Sequence, residues 1–246
     1  MKILVCISNV PDTTTKISFT PDNKELNKAG VQYIINPYDE LALTKALELN
    51  EAAGGGSVTV IHVGQADAEP NLRKALAVGA DEAVRIDAAA VDGFMVAREI
   101  AAYASDKGFD LILCGRESID YNSGVVAGML GELLDWPSVN VITSISIANG
   151  EGQLERDIDG GRESLKVKLP FVASCQKELT EPRIPNMRGI MMARSKPLQV
   201  LAASATDGHS QVMSYALPPA KAGCKFLEVG EEEKLVELLH NEAKVI

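Results

Sequence analysis

Apolar residues recur along this chain in two rhythms. Four short, nearly continuous runs have the length and β-branched content of strands: KILVCIS (2–8), SVTVIHV (57–63), DLILCG (110–115) and PFVASCQ (170–176). Strands that are apolar on both faces belong to a parallel sheet covered by helices on each side. Between them the spacing lengthens to that of a helix. Leu41, Ala42, Ala46, Leu47 and Leu49 recur at helical spacing within NPYDELALTKALELNEAAGGG. Asn36 is expected to cap that helix, Pro37 suits its first position, Asp39 and Glu40 suit its positive end, and Gly54–Gly56 stop it. EPNLRKALAVGADEAVRI predicts a helix, a glycine turn and a short strand. VDGFMVAREIAAYASDKGFD predicts a further helix, stopped at Gly108. Strands alternating with helices predict a doubly wound, mostly parallel α/β sheet over residues 1 to about 145.

The rhythm changes at LERDIDGGRESLKVKLPFV (154–172). Glu155, Asp157 and Asp159 alternate with Arg156 and Ile158, and Leu165, Val167 and Leu169 alternate with Lys166 and Lys168. This period of two predicts a β-hairpin over 153–169 with one charged face, turned by Gly160-Gly161. LTEPRIPNMRGIMMARSKP carries three prolines and a glycine and is expected to lack regular structure. The end, EEEKLVELLHNEAKVI, predicts an amphipathic helix with three acids in its first turn. The chain is therefore expected to divide into residues 1–200, an α/β domain including the hairpin, and 201–246, an extension ending in a helix.

Hydrophobic residues make up 46% of the 246, and aromatics only 4%, so the core must be built mainly from Ala, Val, Leu and Ile. A formal charge of −10 argues against a non-specific grip on nucleic acid. No apolar run reaches the length of a membrane span, and MKILVCISNV is expected to be a strand, not a signal peptide. Cys6, Cys114, Cys175 and Cys224 have no metal-ligand spacing and are expected to be buried, reduced thiols.

Ligands of open α/β sheets bind beyond the carboxyl ends of the strands, where the strand order reverses. The loops 8–14, 63–67 and 115–124 are placed there. The third leaves a strand at Gly115 and is expected to open a helix near Asn122-Ser123-Gly124. Backbone amides at such a helix start bind anions, a phosphate in particular. Simple capping by Asn122 or Ser123 explains the same residues. The common dinucleotide and triphosphate fingerprints are absent. His62 lies inside a strand and reads as a core residue with a hydrogen-bonded ring. His209 and His240 have no nucleophile or carboxylate at a recognisable spacing. No catalytic set emerges, so a binding protein stands ahead of an enzyme. The methionines of NMRGIMMARSK either fill a core gap or form an adaptable docking surface.

Several stretches together carry a family resemblance. ERDIDGGRESLKVKLP with LTEPRIPNMRGIMMA, IINPYDELALTKALEL, ALAVGADEAVRI and GRESIDYNSGVVAGMLGELLDWPSV resemble the electron transfer flavoprotein beta subunit family over nearly the whole chain. The resemblance implies a Rossmann-like, adenine-nucleotide-binding domain. It implies a cytoplasmic heterodimer with an alpha subunit that holds most of the FAD, and a structural AMP in the beta subunit. Electrons would pass from acyl-CoA or other flavin dehydrogenases, as in fatty acid oxidation, to a quinone reductase. Carried over by motif, the AMP pocket would use Cys6, Asn36, Val63, Gly64 and the loop from Gly115 through Val126. The phosphate would meet Asn122, Ser123, Gly124 and Val125, and Asp120 would contact the loop or the ligand. Tyr38 keeps an aromatic near the flavin. A docking loop for dehydrogenases would span 182–196, with Met187 at an anchor position usually held by leucine and Ile190 and Met191 beside it. Glu163 matches the hairpin acid that helps release the mobile flavin domain, which the charged face would meet.

The sequence also departs from that family. Val125 and Val126 stand where Gln and Thr are common, and Thr13 replaces an aromatic. Electron-bifurcating members hold a second FAD in place of AMP. NVPDTT is similar to theirs, but their GDTAQVGP loop is absent and the Gly-Gly turn they lack is present, which favours AMP. A stand-alone adenine-nucleotide sensor of the universal-stress type would not need the hairpin and the segments after it. A nucleotide-using ligase or hydrolase would need a catalytic set.

Overall fold

The computed structural model describes residues 1–204, 207–221 and 223–246. In chain order the elements are β1 (Lys2–Cys6), β2 (Asn9–Pro11), β3 (Tyr33–Ile35), α1 (Pro37–Ala52), β4 (Ser57–Val63), α2 (Glu69–Val78), β5 (Glu82–Asp87), α3 (Gly93–Ala104) and β6 (Leu111–Gly115). Then follow α4 (Val126–Leu134), β7 (Ser138–Ala148), β8 (Glu151–Ile158), β9 (Gly161–Lys168), β10 (Phe171–Cys175), α5 (Met187–Ala193), β11 (Leu198–Ala202) and α6 (Glu232–Glu237), which runs on into a π-helical turn, Leu238–Ala243.

Nine strands form one sheet in the order β11-β5-β4-β1-β6-β10-β7-β8-β9. The pairings from β11 to β7 are parallel, and β7-β8 and β8-β9 are antiparallel. The fold is the expected doubly wound α/β sheet. Successive side chains of a strand point to opposite faces, so each central run feeds two cores. Ile3, Val5, Leu111, Leu113, Phe171 and Ala173 face one way, against α1 and α2. Leu4, Ile112 and Val172 face the other, against α3 and α4. Burial of one such Leu, Ile or Phe stabilises by about 1.5–3 kcal/mol. Gly152 of β8 makes room for one of them, because a Cβ there would come within 2.7 Å of the Phe171 ring.

Five expectations change. The hairpin is part of a three-stranded meander, because β7 precedes it with alternating apolar and small polar residues. Around Val141, whose φ is +64°, β7 shifts register against β10, and it shifts again against β8 between Ile142 and Ser144; bulges bend the strand that carries them. In the hairpin turn Gly160 alone of the two glycines has a positive φ, +85°, while Gly161 already pairs with Ile158. Residues 187–193 form a helix, although no regular structure was expected there. Pro182, Pro185 and Pro197 all lie outside it, and Asn186 caps it by accepting a hydrogen bond from Gly189 N at 2.8 Å. Cys224 is exposed, whereas the other three cysteines are buried as expected. The terminal helix forms but buries none of its residues, and Glu231 stands at its N-cap with only Glu232 and Glu233 in the first turn. Strand β11 pairs in parallel with β5 and forms the edge of the sheet.

Candidate functional site

The chain builds β1, β4 and β5 outward in one direction, then returns after α3 to lay β6 on the other side of β1. This reversal opens a cleft of about 360 Å³ at the carboxyl tips of β1, β4 and β6.

Asp39 ties the two diverging strand tips together. It is buried in the first turn of α1. Its Oδ2 accepts from Ser8 N at 2.6 Å and its Oδ1 from Gly115 N at 2.9 Å. Burial pushes its carboxyl up to about 7, against the pull of these hydrogen bonds. Gly115 is required by close approach, because a Cβ there would stand 2.2 Å from Asp39 Oδ1 and 2.8 Å from Tyr38 Cβ. Tyr38 itself lies beside Arg116, whose guanidinium is 6.0 Å from the ring centre.

Asn36 is fully buried, and its side chain does not cap α1. The Asp39 and Glu40 amides already donate to the Asn36 backbone carbonyl, at 2.8 and 3.1 Å, so the side chain is free for another task. Its Nδ2 donates to Glu117 O at 2.8 Å, and its Oδ1 accepts from Ile119 N at 3.3 Å. Asn36 therefore braces the 115–124 loop from beneath.

That loop closes on itself before α4 begins. Ser118 and Ser123 pair as an isolated bridge, and Asn122 takes a left-handed φ of +49°. Asp120 Oδ1 accepts from the Ser118 hydroxyl and from Tyr121 N. Helix α4 starts later than expected, at Val126, with no side-chain cap from Asn122, Ser123 or any other residue. Its first-turn N–H groups are thus left for solvent or a ligand.

Cys6, Val63, Gly115, Asp120, Ser123, Gly124 and Val126 line the cleft. Asn122 and Val125 do not. Val125 packs toward the start of α3, where a Cβ on Gly93 would come within 2.8 Å of its Cγ2. Gly64 is set back from the wall, its N–H donating to Ile86 O at 3.0 Å and its carbonyl accepting from Arg85 Nη1 at 3.0 Å. The Cys6 thiol is pushed well up by its contact with Cys114 and by burial. The lining includes four carboxylates, Asp39, Asp92, Glu117 and Asp120, and among the described residues no lysine or arginine.

One wall was not foreseen. Ser210 and Val212, from beyond the sheet, also line the cleft. Asp92 holds this strap. Its Oδ1 caps α3 by accepting from Met95 N at 2.8 Å, and its Oδ2 accepts from His209 N at 2.6 Å and Ser210 N at 2.8 Å. The Met95 amide, with those of Ser210 and His209, holds the Asp92 carboxyl down at about 2. Further along, Tyr215 stacks on Phe19 with ring centres 5.0 Å apart, and its hydroxyl lies 3.0 Å from that of Tyr121. The strap reaches Asp92 across more than a hundred residues of sequence, so no local pattern announces it.

A second surface lies on α5. Met187 is 74% exposed and Met191 70%, with Ile190 half-exposed, so these methionines do not fill a core gap. Gly189 lets the helix sit on α2, because a Cβ there would stand 2.3 Å from Ala77 O. Arg73 Nη1 then donates to Ala193 O at 2.8 Å and Lys196 O at 2.7 Å. On the hairpin, Glu163 pairs with Arg156 at 2.6 Å. Alternation puts it on the face of Leu165 and Val167, opposite Arg162, Lys166 and Lys168.

No helix among the described residues is long and apolar enough to cross a membrane, and no group of three or more potential metal ligands occurs among them. The electron transfer flavoprotein domain matches residues 25–206. The chain is 39% identical to the electron transfer flavoprotein subunit beta of Bacillus subtilis, with all of both chains covered. It is 38% identical to that of Syntrophomonas wolfei, covering all of this chain and 98% of the relative. With the subunit of Sus scrofa it shares 32% identity over 82% of each chain. The chain belongs to the electron transfer flavoprotein beta-subunit family. No residue of α5 lines the cleft of this family member, so the two surfaces are separate.

Proposed function

We propose that this chain is the beta subunit of a heterodimeric electron carrier, with an alpha subunit as partner and AMP as a structural ligand in the strand-tip cleft. The observation that carries the reading is the cleft itself: about 360 Å³, at the reversal of strand order, beside an uncapped helix start. A pocket at the small end of the roughly 300–1,000 Å³ range of ligand sites suits a mononucleotide better than a dinucleotide. The phosphate would meet backbone amides of Ser123, Gly124 and Val126 at the head of α4. With four carboxylates and no cationic side chain in the described lining, a single phosphate is favoured over a diphosphate. Asp39 and Asn36 hold the floor and loop in place, and Cys6 and Val63 with Ser210 and Val212 of the strap form the wall.

FAD, held mainly by the alpha subunit, supplies the redox chemistry when bound. Tyr38 would approach it, and Glu163 would meet the mobile flavin domain. Met187, Ile190 and Met191 form the surface for acyl-CoA or other flavin dehydrogenases, and the electrons pass on to a quinone reductase. The exposure of these apolar side chains supports that assignment, because isolated methionine-rich surfaces adapt to several partners. The chain itself would contribute no catalytic residue.

The test is to co-express the chain with its alpha partner, denature the complex and quantify the released nucleotides. One FAD and one AMP per heterodimer is the expected result. Two FAD and no AMP would replace this reading with an electron-bifurcating one.

A further inference from the structure

His62, near the end of β4, has a ring nine-tenths buried that nevertheless forms part of the cleft wall. Its Nδ1 lies 2.7 Å from the carbonyl oxygen of Ile7. A carbonyl only accepts, so Nδ1 carries the hydrogen and donates it. Burial pushes the imidazole pKa below its ordinary value, so the ring is neutral at pH 7. In that tautomer Nε2 is an acceptor, and it has no hydrogen-bond partner among the described residues. Gly64 makes this placement possible, because a Cβ there would come within 2.1 Å of Nε2. Neighbouring polar groups on the wall are already engaged: Asn9 Oδ1 accepts from Asn71, and Ser8 N donates to Asp39. Nε2 is thus an unused acceptor on the wall of an open cleft, and a ligand that supplies a donor gains a hydrogen bond there.

We propose that His62 Nε2 selects the ligand of the cleft, by accepting a hydrogen bond from an N–H or O–H donor on it. This rests on the mononucleotide reading above. On an adenine nucleotide the donor is either the 6-amino group of the base or a hydroxyl of the ribose. A 6-oxo purine would bring an acceptor against an acceptor, and a deoxyribose would bring nothing. Sites built around a hydrogen bond reject analogues that lack the partner far more strongly than apolar pockets reject a missing methylene.

The experiment uses the heterodimer, unfolded, freed of nucleotide and refolded with FAD. AMP, IMP, 2′-deoxy-AMP and 3′-deoxy-AMP are titrated calorimetrically into wild type, His62→Phe and His62→Gln. In wild type one analogue should bind at least about tenfold more weakly than AMP. That preference should shrink to within about threefold in His62→Phe, and persist in part in His62→Gln, whose amide oxygen still accepts. Loss with IMP assigns the donor to the base; loss with a deoxy analogue assigns it to the sugar. His62→Gln alone serves if the Phe variant does not fold: a weakened preference against the same analogue supports the acceptor role, and an unchanged preference or an order of analogues that tracks no donor overturns it. If wild type treats all four alike, or if His62→Phe keeps the full preference, the role of His62 is overturned while the nucleotide site stands. If no purine nucleotide binds wild type, the mononucleotide reading falls and this one with it.

Discussion

In the cleft, each wall group is fixed by another. Asp39 holds the ends of β1 and β6, Asn36 holds the 117–119 backbone, and Asp92 holds both α3 and the strap. On α5 the helix backbone is seated on α2, but Met187 and Met191 stand in solvent. The first region is preorganised, so a substitution in its wall also strains the fold. The second can be altered at its exposed side chains without disturbing the fold. Substitutions should therefore separate the two regions by their effect on stability.

The largest loss is expected from Asp39→Ala. It leaves the Ser8 and Gly115 amides without an acceptor in a buried place, at a cost of about 3 kcal/mol in denaturant unfolding. A loss below about 1 kcal/mol would mean that the strand tips are not locked by this carboxylate. The same residue has a pH signature. Its folded pKa of about 7 lies above its unfolded value of 3.8, so the folded state holds the extra proton between them. The stability it contributes is complete below 3.8 and is lost as pH rises toward 7, with a slope of at most about 1.4 kcal/mol per pH unit. Between pH 5 and 7.5 the stability of wild type relative to Asp39→Asn should fall as pH rises, since only the carboxyl titrates; parallel curves would exclude this titration.

Gly115→Ala comes next. The added methyl would press on Asp39 and Tyr38, costing about 2 kcal/mol and lowering the AMP recovered with the purified heterodimer. Full AMP content in a stable Gly115→Ala protein would break the link between the strand tips and the ligand. Glu163→Gln should cost only about 0.5 kcal/mol, since both members of its ion pair are partly exposed. Met187→Ser should leave stability within about 0.5 kcal/mol of wild type, while slowing flavin reduction by a dehydrogenase in stopped-flow measurements. A destabilised Met187→Ser protein would erase the contrast between the two regions.

Much of the fold was legible because the central strands are apolar on both faces and therefore stand out as runs. The first helix was equally plain, through Pro37, its acidic first turn and its buried leucines. The hydrogen-bonded ring of His62 could be anticipated from its place inside a strand. Asn36 was found in the right place with the wrong task, because a cap residue can satisfy the helix through its own carbonyl and spend its side chain elsewhere. Helix α5 was hidden by three prolines that flank it without entering it. Strand β7 was missed because serine and asparagine dilute its apolar positions. The strap could not be read at all, since Asp92 meets His209 and Ser210 only after the sheet is built.

The nine-stranded sheet has two open edges among the described residues, β9 and β11. An open edge presents unpaired N–H and C=O groups on which another chain can add a strand. The two are blunted by different means. Strand β11 has only five residues. Strand β9 has eight and would be the more inviting template, but Arg162, Glu163, Lys166 and Lys168 stand along it. A second copy docking there would have to bring a second set of these charges to the same seam. The charged hairpin thus protects the chain from self-association while its edge is uncovered, whatever protein later meets its face.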